Sequence, residues 1–359
     1  PTSIIVSTGV NTSTITITAK GNNSENLLAG INTSLIIISS TNASSTISAV
    51  TDAGSGTYTA TIYSPLAGAD TISATIDGVL ITDTASVTYL PDALDHIAFT
   101  AEPATGGEAG TDFAVQPVVK LYDQFNNIIT TDGVSQVTLS AVLASDGVTA
   151  GTGILFATIN PLAVTAGVAT FSGVNYTGVD NIKLKAVTGL EEVLTGAIQN
   201  NPAAASYLTV TAASGTPTAG ANNELAIRAY DVNGNLVNTG PNNYTGSKTL
   251  TFSGPAAIGS YTPTVEGVNV GTGASFTFLN GEASSTIATL VAYKAETVSV
   301  DVSDGTINSG GSPAYDADLT VNPAVVAALD ISADPNPLTT ADTSDITVTG
   351  TDTYGNAVT

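Results

Sequence analysis

Short runs in which apolar and polar residues alternate recur along the whole chain. Thr14-Ile15-Thr16-Ile17-Thr18, Thr57-Tyr58-Thr59-Ala60-Thr61-Ile62 and Thr249-Leu250-Thr251-Phe252 each set Thr on one side and Ile, Leu, Tyr or Phe on the other. A period of two belongs to a β-strand with one buried face. Gly, Asn and Asp punctuate these runs at short, regular spacing, which predicts antiparallel strands stacked as sandwiches. Thr, Val and Ile are abundant, while Met is absent and the long helix-forming side chains are scarce. The β-branched residues suit a pleated surface, so the fold class expected is all-β.

Two landmarks repeat. The first is a strand ending in an acidic turn with Asn at its close. It reads Tyr122-Asp123-Gln124-Phe125-Asn126-Asn127, then Tyr230-Asp231-Val232-Asn233-Gly234-Asn235, then Thr351-Asp352-Thr353-Tyr354-Gly355-Asn356. The three Asp lie 108 and 121 residues apart, and Ala19-Lys20-Gly21-Asn22-Asn23 is a degenerate copy without the Asp. The second landmark is a polar turn followed by strict alternation. Gly68-Ala69-Asp70 leads into Ile72, Ala74 and Ile76; Gly178-Val179-Asp180 into Ile182, Leu184 and Ala186; Lys294-Ala295-Glu296 into Val298, Val300 and Val302. Proline marks the boundaries, at Leu90-Pro91-Asp92, Asn201-Pro202-Ala203 and Asn322-Pro323-Ala324, because it removes a ladder donor and stiffens an extended link. The expected division is into immunoglobulin-like sandwiches over 1–90, 91–203 and 204–323, with 324–359 opening a further one. That last piece holds too few strands for a sandwich. It is expected to continue past Thr359 or to pair its open edge with another chain.

At these landmarks the chain resembles bacterial immunoglobulin-like repeats of the invasin/intimin-like kind, found in giant adhesins and surface-layer proteins. Residues 94–190 carry the resemblance best, through His96-Ile97-Ala98-Phe99-Thr100, the stretch from Gly110 to Asp123, and Gly167-Val168-Ala169-Thr170-Phe171-Ser172-Gly173. Residues 205–323 follow, through Thr249 to Gly254 and Tyr293-Lys294-Ala295-Glu296-Thr297. The first unit departs most, since its turn lacks the Asp. The resemblance implies a module that serves as spacer, lattice unit or binding tip, so it speaks for fold more than for role.

Charge narrows the partners. Lys and Arg number 7 against 30 Asp and Glu, a net charge of −23. Nucleic acid needs a basic footprint, and an anionic membrane surface is disfavoured on the same ground. No apolar run approaches the ~18–20 residues of a membrane span, and no signal peptide is recognised, so any signal or anchor would lie outside these residues. Without Cys there is no disulfide, thiol chemistry or Cys-ligated metal. A chain free of Cys and Met is at home outside a prokaryotic cell, where oxidisable side chains are a liability.

Candidate chemistry is sparse. The one His, His96, sits in a strand; there is no Gly-x-Ser-x-Gly elbow or phosphate loop; and Glu191-Glu192 are adjacent, hence on opposite faces of a strand. No catalytic residue is expected. Asp123, Asp231 and Asp352 admit two readings: an Asx-type turn in which the side chain accepts a backbone N–H, or a Ca²⁺ site at the module edge, with Asp92, Asp95, Asp330 and Asp334 near the links. Asn-x-Ser/Thr occurs at Asn11, Asn22, Asn32, Asn42, Asn175 and Asn243, each a candidate for N-glycosylation. Tyr58, Tyr63 and Tyr293 fall in strand-like segments and are expected to pack. The leading expectation is a non-catalytic cell-surface protein, a surface-layer component that self-associates into a lattice or filament, with glycans or other envelope components as further partners. The alternatives are an adhesin stalk and the accessory modules of a secreted polysaccharide-active enzyme.

Overall fold

The computed structural model describes residues 2–20, 28–283, 288–334, 340 and 343–358. Among them the chain is built of strands, with one 3-10 turn at Thr33–Leu35 and no α-helix. Buried apolar side chains gather in three clusters along the chain, and the alternating runs supply them. Tyr58, Ala60 and Ile62 of Thr57–Tyr63 are buried, as are Ile182, Leu184 and Ala186 of Ile182–Thr188, and Leu250 and Phe252 of Gly246–Ser253.

The first cluster lies between two sheets. Ser13–Thr18, Thr57–Tyr63, Thr46–Ile47 and Thr51–Gly54 form one; Ser3–Ile5, Ala85–Leu90, Gly68–Ile76, Val79–Leu80 and Ile36–Ser40 form the other. Ser3–Ile5 runs parallel to Ala85–Leu90. Parallel bridges at Glu108–Asn201 and Thr218–Asn322 repeat that first-to-last closure further along. The second cluster is faced by His96–Ala101, Val118–Tyr122 and Val168–Thr170 on one side and by Leu162–Ala163, Gln136–Leu143, Ile182–Thr188 and Glu191–Leu194 on the other. Around the third cluster the two layers are continuous. Gly246–Ser253 pairs with Ala274–Leu279 through residues 246–250, then with Thr297–Ser303 through residues 251–253.

The last stretch is a three-stranded sheet of Val326–Asp334, Asp345–Asp352 and Ala357–Val358. Its register sets Ile331 opposite Val348 and Leu329 opposite Gly350. The matching positions two residues before the turn Asp and across from it, Leu121 with Ile97 and Ala229 with Leu208, are buried. Here Leu329, Ile331, Ile346 and Val348 are all more than half exposed. The alternation is the same, but among the described residues no second layer covers it.

Leu184, fully buried at the centre of the second cluster, tests this packing. Leu184→Ala should lower the stability of the unit around it by about 2–5 kcal/mol, read as a shifted urea unfolding midpoint.

Candidate functional site: the joints between clusters

Asp123, Asp231 and Asp352 stand where a strand gives way to a turn, and all three are buried. Each turn closes the same way. Asp123 N–H donates to Asn127 O at 3.0 Å, and Asn126 N–H to Asp123 O at 2.9 Å. Asp231 with Asn235 and Gly234, and Asp352 with Asn356 and Gly355, repeat the pair. The residue before the Asn is left-handed in every copy, with φ of 64° at Asn126, 84° at Gly234 and 93° at Gly355. That conformation is open to Gly and, among the rest, best to Asn, which explains why the motif ends in Asn-Asn or Gly-Asn.

The carboxylate ties three pieces of chain together. Its Oδ1 accepts N–H bonds from the turn: Phe125 and Asn127, both at 2.9 Å, Asn233 at 2.9 Å and Asn235 at 2.8 Å, Tyr354 at 2.9 Å and Asn356 at 2.8 Å. Its Oδ2 accepts the N–H of the residue that follows each boundary proline: Asp92 at 3.0 Å, Ala203 at 2.9 Å and Ala324 at 2.8 Å. The same oxygen takes the side-chain amide of Asn127 at 3.0 Å, Asn235 at 2.9 Å and Asn356 at 2.8 Å. Burial pushes the Asp123 and Asp352 carboxyls up, but these donors outweigh it and hold both below the ordinary carboxylate value.

The Asn held in this way reaches across to the preceding unit. Asn127 Nδ2 donates to Pro65 O at 2.8 Å, and its Oδ1 accepts Ala67 N–H at 2.9 Å. Asn356 repeats both bonds with Tyr293 O and Ala295 N–H, each at 2.7 Å. Asn235 Nδ2 donates to Thr177 O at 2.8 Å. Those partners sit in or directly before the second landmark, so the two repeated motifs of the sequence meet at each joint. The residue two after the Asp adds a contact that differs from joint to joint. Phe125 packs against the first cluster, and Asn233 Nδ2 donates to Ala109 O at 3.0 Å. Tyr354 sets its ring edge-on to Tyr261 at 5.0 Å and tilted against Tyr293 at 5.1 Å. Gly220 leaves room for that ring, where any Cβ would collide with it.

The other candidates lie apart. Among the described residues no three His, Cys, Asp or Glu side chains gather in a group that could hold a metal ion. Asp92 accepts Gln124 Nε2 at 2.9 Å, Asp95 pairs with His96 at 3.0 Å, and Asp330 and Asp334 are exposed on the last sheet. His96 also stacks on Tyr122 at 5.3 Å. Glu192 pairs with Lys185 at 2.5 Å. Tyr58 is buried in the first cluster. Of the sequons, Asn11 is exposed, Asn32 caps the 3-10 turn, and Asn22 lies outside the described residues. The amides of Asn42, Asn175 and Asn243 donate to Leu66 O, Asp112 Oδ1 and Asn280 Oδ1.

Sequence reasoning did not assign the Asn amides, nor the acid at the third place of the second landmark. Buried Asp70 accepts Ser40 Oγ, Ser45 Oγ and the N–H groups of Thr41 and Asn42. Asp180 accepts Thr152 N–H at 2.8 Å and Glu296 accepts Ala256 N–H at 2.7 Å. In all three copies the acid pins a facing loop. The repetition of an acid at that place was the available signal.

Asp231→Ala would leave the N–H groups of Ala203, Asn233 and Asn235 without their acceptor, at about 1–3 kcal/mol for each that stays buried. The third unit should lose about 3 kcal/mol or more in chemical unfolding. For Asp123 and Asp352 the lowered folded-state pKa gives stability that is complete above the ordinary carboxylate range, about pH 4. It is lost as pH falls through the folded values. Asp123→Asn and Asp352→Asn should each flatten the acid limb of a plot of melting temperature against pH.

Residues 1–92 match the family model described as Invasin, domain 3. No curated protein matches the chain. Among solved structures, the chain is similar to the Escherichia coli adhesin FdeC, with 23% identity, 89% of this chain and 94% of that one covered, and a TM-score of 0.44. It is also similar to Yersinia pseudotuberculosis InvD, with 18% identity, 89% and 94% covered, and a TM-score of 0.43. Domains 4–9 of the surface-layer protein SbsC match at 15% identity, with 89% and 44% covered and a TM-score of 0.26. No helix among the described residues is long and apolar enough to cross a membrane. The chain is thus similar to invasin domain 3 over its first repeat, and its fold is a tandem of immunoglobulin-like β-sandwiches.

Proposed function

We propose that this chain is a non-catalytic structural segment of a bacterial cell-surface protein. Its modules, 1–90, 91–203 and 204–323, with the sheet of 324–359 after them, act in series as a stiffened rod. The observation that carries this reading is the Asn amide of each acidic turn, bonded at once to its own Asp and to the backbone of the preceding module. A tether between independent beads needs only a linker. A side chain locked at one end and spent on the neighbour at the other fixes the angle between modules. The match of the first module to invasin domain 3 supports placing the rod on the cell surface, as a stalk that carries or spaces a function located elsewhere. A lattice component is the second reading, favoured by an unpaired apolar sheet edge in the first module.

Small-angle scattering of the 359-residue chain tests the rod. The chain with Asn127→Ala, Asn235→Ala and Asn356→Ala should show a smaller radius of gyration and a broader distribution of lengths than the parent, measured at a temperature where circular dichroism shows every variant still folded. Equal curves would overturn the reading. Each turn carboxylate already accepts backbone and amide donors on both oxygens, so chelator and added Ca²⁺ should leave the parent curve unchanged. A calcium-dependent lengthening would instead assign the joints to the cation.

A further inference from the structure

The strand Ile36–Ser40 closes one sheet of the first module, and among the described residues it pairs only with Gly68–Ile76. Asp77 N–H donates to Leu35 O and Thr41 N–H to Thr71 O. By the alternation of an antiparallel ladder, Ile37 and Ser39 spend their backbone groups inward on the same partner. Ile36, Ile38 and Ser40 therefore turn theirs to the open edge, where among the described residues only the Ile36 N–H is taken, by Thr33 O. Beside this edge runs an open groove of about 500 Å³ lined by Ile36, Ile38, Ile47, Ala49 and Val50. Ile37 is 60% exposed on the outer face. The devices that ordinarily blunt a sheet edge, a charge, a proline or a bulge, are missing: residues 28–51 contain no Asp, Glu, Lys, Arg or Pro.

We propose that this edge is a strand-addition site and that its occupant is the same edge of a second copy of the chain. An antiparallel pair of identical strands is self-complementary about a two-fold axis. Centred on Ile38, it lets the two Ile38 residues exchange both backbone bonds, while Ser40 N–H of each copy meets Ile36 O of the other. Charge selects the copy's own edge. A chain of net charge −23 repels itself across most approaches, and an uncharged strip against an uncharged strip adds no like-charge contact at the seam. The pairing would extend the sheet across two modules and join the two grooves into one trough of Ile, Ala and Val with Thr33, Ser34 and Ser48 among its lining. It is independent of the rod reading, since the joints lie elsewhere and the readout is mass, not length.

Sedimentation equilibrium of the full chain tests it. The parent should rise with concentration from one chain's mass toward two. Ile37→Glu and Ile37→Lys each place like charges diagonally across the seam, within reach of long side chains, and each alone should stay at one chain's mass. An equal mixture of the two should regain the doubled mass. Unchanged melting curves would show that the first module still folds, since Ile37 is exposed. A parent that stays monomeric across its soluble range overturns the proposal. So do Glu and Lys variants that dimerise as the parent does, or a mixture that does not recover.

Discussion

A carboxylate taken out of water must find donors for both oxygens, and this requirement organises the chain. An unpaired buried charge would cost several kcal/mol. Each charge-assisted hydrogen bond returns about 1.5–3 kcal/mol. At Asp123, Asp231 and Asp352 the donors come from the turn, from the first N–H after the linker proline, and from the Asn that closes the motif. The proline cannot donate, so the N–H that anchors the linker is the next one along. One buried charge thereby fixes the path of the link, the shape of the turn and the rotamer of the Asn. The Asn in turn donates to the backbone of the preceding unit. Remove the charge and the three constraints separate.

The lock is repeated, but the contact beside it varies. Phe125 adds apolar area, Asn233 adds one hydrogen bond and Tyr354 adds a three-ring cluster with Tyr261 and Tyr293. Asn127 and Asn356 each span the joint with two bonds, Asn235 with one. Aromatic pairs add about 0.5–1.5 kcal/mol beyond their buried area, whereas a neutral hydrogen bond nets about 0.5–1.5 kcal/mol. The turn at Asp352 therefore makes more contacts with the preceding unit than the turn at Asp231 does. The position two places after the Asp is thus where the repeated joint varies most.

The sandwich layers were legible because alternation is a local signal. Ile72 and Ala74, Ile182 to Ala186, and Val300 with Val302 are buried where the period of two places them. The acidic turn was legible as a repeat, and its two readings were an Asx turn or a cation site; the geometry shows the carboxylates bonded to N–H groups. What could not be read was the partner of the Asn. Its acceptors lie 62, 58 and 63 residues earlier in the chain, and no local pattern joins two loops that far apart. The open face of Leu329, Ile331, Ile346 and Val348 is a matter of length and not of pattern: alternation marks which face is apolar, and only the small number of strands in 324–359 pointed to a missing second layer.

The first module clarifies what the repeated Asp is for. Its turn lacks the acid, which made it the most divergent unit by sequence, with the resemblance carried best by residues 94–190. Yet the family match falls on residues 1–92, and the first cluster packs as the others do around Tyr58, Ile62 and Tyr89. The sandwich therefore does not need the Asp. Its donors show what it adds: two come from its own turn, one comes from the linker, and the shared Asn is spent on the preceding unit, so the motif ties the turn to the connection. A substitution at the turn should accordingly be judged by what it does on both sides of the joint at once.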